Sequence, residues 1–408
     1  MNDGQTGKTN MEEIQSGIGR SNPGEPEDGA VRVSVVLPCL NEERTLGNCI
    51  RRAQRAFGEL GVTGEVVVAD NGSTDCSVEI AESLGARVVQ QPRRGYGNAY
   101  IAGLDGARGE YIVCSDADES YDLGEIPLML GELEKGSEFV IGNRFSGGIE
   151  ENAMPRLHRL IGNPLMSWLV RVFFKVSLRD VQSGLRAFRK SDYIDMDLRS
   201  EGFEFATEIV IKAALNGLKI SEVPIKLHRD GRDREPHLRS FSDGWRNLRL
   251  MLIYSPKYLY FLPGFFLMGL GSVLLIALQF GDVVIGDIKL GFHFAIWASM
   301  LIMLGSQLVY FGVLARTFAH VEGLYRDRMA ERFLNLFSLE KWGGVGALLC
   351  LSGLAIVTDV VIRWMQKGFQ IFAVTSAATA MTLVVVGIQT IIMSFFVSMF
   401  LIRRKDGD

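Results

Sequence analysis

The 408-residue chain has only five cysteines, an odd number. They are scattered and never form a C-x-x-C pair: Cys39, Cys49, Cys76, Cys114 and Cys350. Disulfide frameworks and zinc sites need paired or closely spaced cysteines, so the sequence favours neither and predicts reduced thiols. A strongly basic region is also lacking, and the formal net charge is −4. This charge argues against nucleic acid as a partner.

Charged residues are scarce in the second part of the chain, where the last 151 residues contain only 20. Four apolar stretches fall there, and each has about the 20 residues that a helix needs to cross a bilayer. They lie at 259–280, 293–315, 343–362 and 371–402. Residues 1–30 have no apolar run, which predicts a disordered tail and not a signal peptide. We therefore expect an integral membrane protein with four spans.

Basic residues near these stretches indicate how the spans are oriented. Most lie between the second and third stretches or at the end of the chain: Arg316, Arg326, Arg328, Arg332, Lys341, Arg403, Arg404 and Lys405. Because cytoplasmic loops are enriched in Lys and Arg, we expect the middle loop and the C-terminus to be cytoplasmic. Four crossings then place the domain before the spans on the same side. Within the third stretch, Asp359 lies one turn before Arg363, which predicts a local ion pair.

The first part of the chain alternates between apolar, β-branched runs and helix-like stretches. The runs are at 31–37, 65–69, 87–89, 111–114 and 138–141. Helices are predicted between them at 43–60, 76–84, 98–107 and 124–135. This alternation predicts βαβ units and an α/β domain with a Rossmann-like, mostly parallel sheet. Ligands of such sheets bind beyond the carboxyl ends of the strands, so the residues there are the first candidates for a site.

Two carboxylates separated by one residue follow the run YIVC. Asp116 and Asp118 leave the strand toward one side, where they can share Mg²⁺ or Mn²⁺. A metal bound there would neutralise the charge that develops on a departing diphosphate. A solvated acidic turn is the alternative, because two aspartates at this spacing are common by chance. Their position directly after a buried run favours the metal.

Polar motifs follow the first two predicted strands and precede a later helix. Asp70 opens the sequence DNGSTD and is placed to accept hydrogen bonds from a nucleotide, whereas Asp75 fits a helix cap. In PCLNEE, at 38–43, the two glutamates are also explained by the stabilisation of carboxylates at a helix N-terminus. The turn RGYGNA, at 94–99, offers bare backbone amides before a helix, which suits a diphosphate.

Together, and in this order, four motifs resemble the nucleotide-sugar domain of inverting glycosyltransferase family 2, which has the GT-A fold. They are P-x-x-N-E, D-N-G-S-T-D, R-G-x-G-x-A and D-A-D. IGNRF at 141–145, DVQSGLRAF at 180–188 and the basic segment 228–239 extend the match. With them, the chain is similar to dolichol-phosphate mannose synthases and bacterial polyprenyl-phosphate glycosyltransferases. The resemblance covers 31–254 and implies a GT-A domain followed by an α-helical transmembrane domain of four helices.

The resemblance also implies roles for individual residues. Contacts with the nucleotide sugar fall on Pro38, Leu40, Glu42, Asp70, Asn71, Arg94, Gly95, Asp116, Ala117, Asp118, Arg144 and Arg234. The metal ligands would be Asp116 and Asp118, and the catalytic residues Asp118, Arg144, Asp180 and Arg186. Candidates for covering the phosphates are Arg229, Arg232, Arg234 and Arg239. The chain departs from the family pattern at Leu40, where many members have tyrosine, and at Ser120, where the mannose synthases often have glutamine.

Two segments before the spans combine basic and apolar residues, at 154–176 and 241–258. Both are interpreted as interfacial helices that seat the domain on the membrane, with an ordinary core helix as the alternative for each. The expected organisation is a disordered tail (1–30), a GT-A domain (31–239), an interfacial amphipathic helix (240–258), four membrane helices (259–402) and a cytoplasmic tail (403–408).

The implied reaction transfers a hexose, with inversion, from UDP-glucose or GDP-mannose to a polyprenyl phosphate on the cytoplasmic leaflet. A phosphate acceptor is anionic at pH 7, so catalysis would depend on positioning and charge neutralisation. A glycolipid synthase with a hydroxyl acceptor would instead need a base, for which Asp180 is the candidate. A processive polysaccharide synthase is disfavoured because we find no Q-x-x-R-W block, and a scaffold with an inactive transferase domain is the non-enzymatic alternative. Related enzymes suggest a homo-oligomer.

Overall fold

The computed structural model describes residues 30–231, 240–291, 293–324, 328–366 and 374–405. Its first part is an α/β domain built on seven strands. They are β1 (Val33–Cys39), β2 (Gly64–Asp70), β3 (Arg87–Gln90), β4 (Tyr111–Cys114), β5 (Phe139–Asn143), β6 (Arg186–Arg189) and β7 (Ile220–Pro224). Almost every side chain of β1, β4 and β5 is buried, as expected for apolar strands covered on both faces.

The seven strands form one sheet in the order β3-β2-β1-β4-β6-β5-β7. Neighbouring strands are parallel except at β6, which runs antiparallel to both β4 and β5. The register of β1 with β2 places Cys39 opposite Asp70, and that of β1 with β4 places Val36 opposite Cys114. The polar segments after β1, β2 and β4 therefore leave the sheet at one edge, as the sequence predicts.

Helices cover both faces of this sheet. They are α1 (Leu46–Leu60), α2 (Ser77–Ser83), α3 (Tyr96–Gly106), α4 (Ile126–Glu134), α5 (Arg144–Gly147), α6 (Asn163–Phe174), α7 (Lys190–Met196) and α8 (Phe205–Leu215). One core joins α1 and α4 to the sheet through residues such as Ile50 and Ile126. The core on the opposite face joins α3 and α8 through residues such as Leu104 and Ile209.

The second part of the chain is helical, apart from a small hairpin of β8 (Val283–Ile285) and β9 (Ile288–Leu290). Its helices are α9 (Ser240–Ile253), α10 (Leu262–Gln279), α11 (His293–Val321), α12 (Arg328–Leu336), α13 (Leu339–Gln366) and α14 (Val374–Lys405). Four segments are long and apolar enough to cross a membrane: Lys257–Gln279, His293–Val321, Leu339–Gln366 and Val374–Ile402. The four predicted spans are thus confirmed as helices of sufficient length.

The α/β domain meets the spans through α6, α9 and the turn that opens the first span. Tyr258 of that turn donates to the carbonyl of Val172 at 2.8 Å, and its ring stacks on Phe173 with centroids 4.6 Å apart. Several large apolar side chains on α6 and α9 are nevertheless exposed, among them Trp168 (50%) and Trp245 (61%). The two predicted interfacial segments are therefore helices with one packed face and one uncovered apolar face.

Sequence and structure differ most at the ends of the strands. The apolar run at 31–37 predicts the first strand two residues too early, because β1 continues through Pro38 and Cys39. The sequence analysis missed β6 and β7, which are short and carry polar residues. The predicted ion pair inside the third span is confirmed, with Arg363 Nε 3.0 Å from Asp359 Oδ1. The predicted tail at 1–30 lies outside the described residues except for Ala30.

Candidate active site

Asp116 and Asp118 follow the carboxyl end of β4, and fixed donors hold both carboxylates. The phenol of Tyr96 donates to Asp116 Oδ1 at 2.9 Å, and that of Tyr100 lies 3.5 Å from the same oxygen. The backbone amide and the hydroxyl of Ser120 donate to Asp118 Oδ1 at 3.0 and 2.5 Å. Asp118 is also buried. The alternative of a solvated acidic turn does not describe this arrangement.

Tyr96 occupies the variable position of the R-G-x-G motif, so the motif did not reveal it as a site residue. Burial raises the pKa of its phenol well above 10, the charge of Asp116 raises it further, and the charge of Arg186 opposes the shift. The phenol therefore keeps its proton at neutral pH and remains a donor to Asp116. The ring of Phe203 stacks on Tyr96 with centroids 4.8 Å apart, which fixes the phenol's position.

The donor groups at this edge fit a hard divalent cation. Carboxylate oxygens are the ligands that Mg²⁺ and Mn²⁺ prefer, together with substrate phosphates and water. Burial raises the pKa of two nearby thiols, that of Cys39 to about 11 and that of Cys114 to about 12, so both keep their protons at neutral pH. No group of three or more His, Cys, Asp or Glu side chains suited to a metal occurs within the described ranges.

Arg144 begins α5 and forms a buried ion pair with Asp180. Its Nε and Nη2 atoms each lie 2.7 Å from a different carboxylate oxygen, and its backbone amide donates to Asp180 at 3.0 Å. Asp180 is completely buried, at 0% exposure. Glu222 of β7 accepts from the amides of Arg179 and Asp180 at 2.6 and 2.9 Å, which fixes the loop. In this geometry Asp180 orients Arg144.

Tyr121 connects this ion pair to the aspartates. Its hydroxyl accepts from the amide of Gly184 at 2.7 Å and lies 3.4 Å from Arg144 Nη1. A Cβ atom on Gly184 would lie 2.7 Å from Asp116 Oδ2 and 2.9 Å from the Tyr121 ring, so a side chain would collide with both. The structure therefore brings Asp116, Arg144 and Asp180 into one cluster, although 64 residues separate the first from the last.

Arg186 lies next to this cluster at the start of β6. Its Nε atom donates to the carbonyl of Ser183 at 2.8 Å, and Nη2 donates to that of Val181 at 3.2 Å. Arg186 is almost fully buried. It therefore holds the loop that follows Asp180 and places a second positive charge at the same edge of the sheet.

Asn71, directly after β2, braces the turn between β3 and α3. The side-chain nitrogen of Asn71 donates to the carbonyls of Gln91 and Arg93 at 2.9 and 2.8 Å, and its oxygen accepts from the amide of Gly95 at 2.7 Å. The amide of Gly95, predicted to be bare, therefore has a partner within the protein. The side chain of Asn71 shapes this loop, and the contacts of Gly95 and Asn71 with the nucleotide sugar stay predictions.

Gly97, the second glycine of the R-G-x-G motif, lies where the start of α3 contacts the loop at 200–201. The amides of Gly97 and Asn98 donate to the carbonyl of Glu201 at 2.9 and 3.2 Å, so these amides are not bare either. A Cβ atom on Gly97 would lie 1.9 Å from the carbonyl oxygen of Ser200. Glycine is required here because the loop before α8 crosses directly over the start of α3.

The other predicted donor-site residues lie at the same edge of the sheet. Asp70 is buried and closes its own turn, accepting from the amides of Gly72 and Ser73 at 3.2 and 3.1 Å. Pro38 of β1 lies opposite Ala69 of β2, and Leu40, just after β1, is half-buried. The hydroxyl of Thr45 donates to the carbonyl of Ala117 at 2.7 Å and lies 3.4 Å from the carboxylate of Glu42. Arg94 is exposed and lies 3.4 Å from the carbonyl of Gly72. Asp75 accepts from the amide of Ser77 at 3.1 Å, but the N-cap position of α2 is Cys76 and not the predicted Asp75.

The basic segment begins against the loop of Asp116 and Asp118. The amide of His228 donates to the carbonyl of Ser120, and that of Gly231 to the carbonyl of Asp118, each at 2.9 Å. Arg229 is exposed beside these contacts. Arg232, Arg234 and Arg239 lie outside the described residues, so their contact with the phosphates stays a prediction.

Comparisons with known proteins show the family to which the chain belongs. The family model for glycosyl transferase family 2 matches residues 34–196, and that for the glycosyltransferase family 2 C-terminal transmembrane region matches 313–401. The low-salt glycan biosynthesis hexosyltransferase Agl6 of Haloferax volcanii is 37% identical over 370 residues, which cover 90% of this chain and 89% of Agl6. The chain belongs to glycosyltransferase family 2.

Two further proteins are similar to this family 2 glycosyltransferase over about half of its chain. A dolichyl-phosphate hexose transferase of Haloferax volcanii is 32% identical over 212 residues, 52% of this chain and 89% of its own. The crystal structure of glucosyl-3-phosphoglycerate synthase from Mycobacterium tuberculosis covers 56% of this chain and 81% of its own, with 23% identity and a TM-score of 0.45. Family membership confirms the predicted class of enzyme, a membrane glycosyltransferase with a GT-A-like domain ahead of its spans.

Three site residues of this glycosyltransferase were not found from the sequence: Tyr96, Tyr121 and Glu222. Tyr121 follows the D-A-D motif by three residues, and this proximity is the signal that would have indicated it. Glu222 lies on β7, a strand that the sequence analysis missed. Each of the three acts by holding a residue that the motifs do reveal.

Proposed function

We propose that this glycosyltransferase moves a hexose from a nucleotide sugar to a polyprenyl phosphate at the cytoplasmic face of the membrane. One observation carries the proposal: Asp116, Tyr121, Arg144 and Asp180 cluster at the ligand edge of a sheet whose domain packs directly on the first span. The similarity to a protein named dolichyl-phosphate hexose transferase supports the same class of acceptor.

For the donor we propose UDP-glucose or GDP-mannose, bound over the ends of β1, β2 and β4. Asp116 and Asp118 would hold Mg²⁺ or Mn²⁺, and the bound ion would supply positive charge to the departing nucleoside diphosphate. The chain fixes those two carboxylates beforehand through Tyr96 and Ser120. Residues assigned to the nucleotide are Pro38, Leu40, Glu42, Asp70 and Arg94.

For the acceptor, the geometry of Asp180 favours a phosphate over a hydroxyl. Both carboxylate oxygens of Asp180 bind Arg144, and the side chain has no exposed surface. A base must reach the proton that it removes, and a phosphate oxygen needs no such base because it is already ionised at pH 7. Asp180 then orients Arg144, and Arg144 and Arg186 reduce the repulsion between the acceptor phosphate and the donor diphosphate.

The helices next to the spans support delivery of a lipid acceptor. Between Glu151 and Asp180 the chain has no Asp or Glu, but it has five Lys and Arg residues. Within the same segment Leu160 is 72% exposed and Trp168 50% exposed. A basic segment with uncovered apolar side chains suits an anionic membrane surface, and it ends at the reaction centre.

The proposal is tested by comparing two acceptors of identical chain length, a polyprenyl phosphate and the matching polyprenol. The full chain is reconstituted in vesicles with Mn²⁺ and supplied in turn with radiolabelled UDP-glucose and GDP-mannose. We expect labelled lipid from one donor with the phosphate, and none above background with the alcohol. Equal or faster transfer to the alcohol would contradict the proposed acceptor and favour a glycolipid synthase.

A further inference from the structure

Glu208, on α8, is a carboxylate that the reaction does not use. It is 1% exposed, and its oxygens are occupied by groups of the protein. Oε2 accepts from the amides of Arg199 and Ser200 at 3.0 and 2.8 Å, and Oε1 accepts from the hydroxyl of Tyr254 at 3.0 Å. The ammonium of Lys212 lies 3.7 Å from Oε1 and offsets the buried charge. Such a carboxylate holds loops in place.

One partner of Glu208, Tyr254, lies close in the chain to the first candidate span. Tyr254 directly follows α9, and three residues later the first membrane span begins at Lys257. Burial raises the pKa of the Tyr254 phenol above its usual value, and the charge of Glu208 adds to this, so the phenol remains a donor. A displacement of the end of α9 therefore acts directly on Glu208.

The other side of Glu208 faces the candidate active site. The loop that it holds continues to Glu201, whose carbonyl accepts from the amides of Gly97 and Asn98 at the start of α3. Phe203, two residues further on, stacks on Tyr96, and Tyr96 donates to Asp116 at 2.9 Å. An unbroken series of contacts thus runs from the segment before the first span to a proposed metal ligand.

From these contacts we infer that Tyr254 and Glu208 are positioning residues that couple the membrane-attached end of α9 to Asp116 through the loop at 199–203. The inference rests on the proposed role of Asp116 in binding the metal and donor. Seating of the domain on the bilayer then sets the orientation of Asp116.

The test compares Tyr254→Phe with Tyr258→Phe in the full chain. Each substitution removes one buried or half-buried phenol hydroxyl next to the first span, but the hydroxyl of Tyr258 donates to Val172, outside the series of contacts. Hydrogen exchange is measured without metal or nucleotide. We expect faster exchange in Tyr254→Phe at residues 97–98 and 199–200, and exchange like that of the wild type in Tyr258→Phe.

A second measurement follows Mn²⁺ binding by EPR in the presence of UDP or GDP. Residues along a coupled series change the coupling enough to alter an affinity roughly two- to thirtyfold, so Tyr254→Phe should weaken Mn²⁺ binding within this range. Tyr258→Phe should bind Mn²⁺ like the wild type. A Phe203→Leu and Tyr254→Phe double variant should weaken binding less than the product of the two single effects, as expected of residues that act on one pathway.

The outcomes separate this inference from the proposed function. If exchange in Tyr254→Phe matches that of Tyr258→Phe, or if exchange rises while Mn²⁺ affinity stays unchanged, the inferred coupling is overturned. If the wild-type chain transfers no sugar and binds no Mn²⁺, the proposed function fails, and the exchange measurement still decides whether Tyr254 controls the loop at 199–203.

Discussion

An aspartate that is fully buried and binds one arginine through both oxygens is poorly placed to take a proton from a substrate. Asp180 has this geometry with Arg144. Its chemistry is therefore expected to be electrostatic, since it keeps a guanidinium in one orientation at the edge where two phosphate groups would meet. The same pair explains why an arginine is tolerated in a buried position.

Asp180→Asn should lower both the transfer rate and the midpoint temperature of thermal unfolding while leaving the shape of the pH–rate profile unchanged. Removing one partner of a buried ion pair costs about 3–5 kcal/mol, and the asparagine keeps one acceptor, so the loss should not exceed that range. The measurement is kcat/KM against pH for the variant and the wild type. Asp195→Asn, an exposed change on α7, is the control. Disappearance of the acid limb in Asp180→Asn alone would identify Asp180 as a base.

At this scale, sequence motifs indicate which residues meet better than they indicate what each residue does. The motifs correctly grouped Asp116, Arg144 and Asp180. They did not show that Asn71 and Gly95 bind each other, because this bond joins residues 24 positions apart. Nor did they show that the amides of Gly97 and Asn98 bind Glu201, which follows about 100 residues later in the chain, so local pattern carries no information about that contact.

The start of α3 is the element whose position depends most on close packing. Gly97→Ala should destabilise the α/β domain, since the added Cβ would lie 1.9 Å from the carbonyl oxygen of Ser200 and one segment must move. Overpacking typically costs about 1–3 kcal/mol. Gly58→Ala, at an exposed position of α1 with nothing within 4 Å, is the matched control and should be neutral or stabilising. The measurement is the midpoint temperature of thermal unfolding of both variants. A Gly97→Ala variant as stable as Gly58→Ala would contradict the packing argument.

Strands with a long apolar run were predicted well from the sequence. Strands that form because neighbouring strands supply hydrogen-bond partners were not. β4 occupies the predicted residues, 111–114, because an uninterrupted apolar run must be buried on both faces. β6 contains two arginines in four residues, and it becomes a strand because β4 and β5 supply partners on either side. No local pattern could predict this pairing.

α9 illustrates an element whose two faces serve different surroundings. Its uncovered side includes Trp245 and Ile253, whereas its packed side includes Asn247, which accepts from Thr207 at 2.7 Å. Thr207 in turn accepts from Gln182 at 2.7 Å, inside the DVQSGLRAF segment. The predicted interfacial helix is therefore also a structural part of the α/β domain, and its polar packed face could not be distinguished from a solvated one in the sequence.

For the whole molecule, the four candidate spans predict that the α/β domain and the C-terminus share one side of the membrane. We expect both to be cytoplasmic. Cys76 is an exposed native thiol in the α/β domain, and Asp287→Cys would place a second thiol in the hairpin loop between the first two spans. A membrane-impermeant maleimide should label the thiol introduced at position 287 in intact cells. It should label Cys76 only after permeabilisation.

The control for this experiment is a Cys76→Ser chain carrying Asp408→Cys, which should behave like native Cys76. Labelling of the thiol at position 408 from outside intact cells would contradict the four-span orientation. Labelling of Cys76 from outside would reverse the side on which transfer is proposed to occur.

The central claim is that Asp116 and Asp118 hold a divalent cation with which the chain transfers hexose from a nucleotide sugar to a polyprenyl phosphate. The most direct test measures that transfer in one vesicle preparation, with and without a chelator, for the wild type, Asp118→Asn and the control Asp122→Asn. Asp122 lies four residues further on and accepts from the amide of Gly124, outside the cluster. We predict that the chelator abolishes transfer by the wild type and that added Mn²⁺ restores it. Asp118→Asn should lower the transfer rate about tenfold to a hundredfold, as expected for one lost charge-assisted contact. Asp122→Asn should transfer at the wild-type rate. Transfer at the normal rate by chelated wild type, or by Asp118→Asn, would contradict the account.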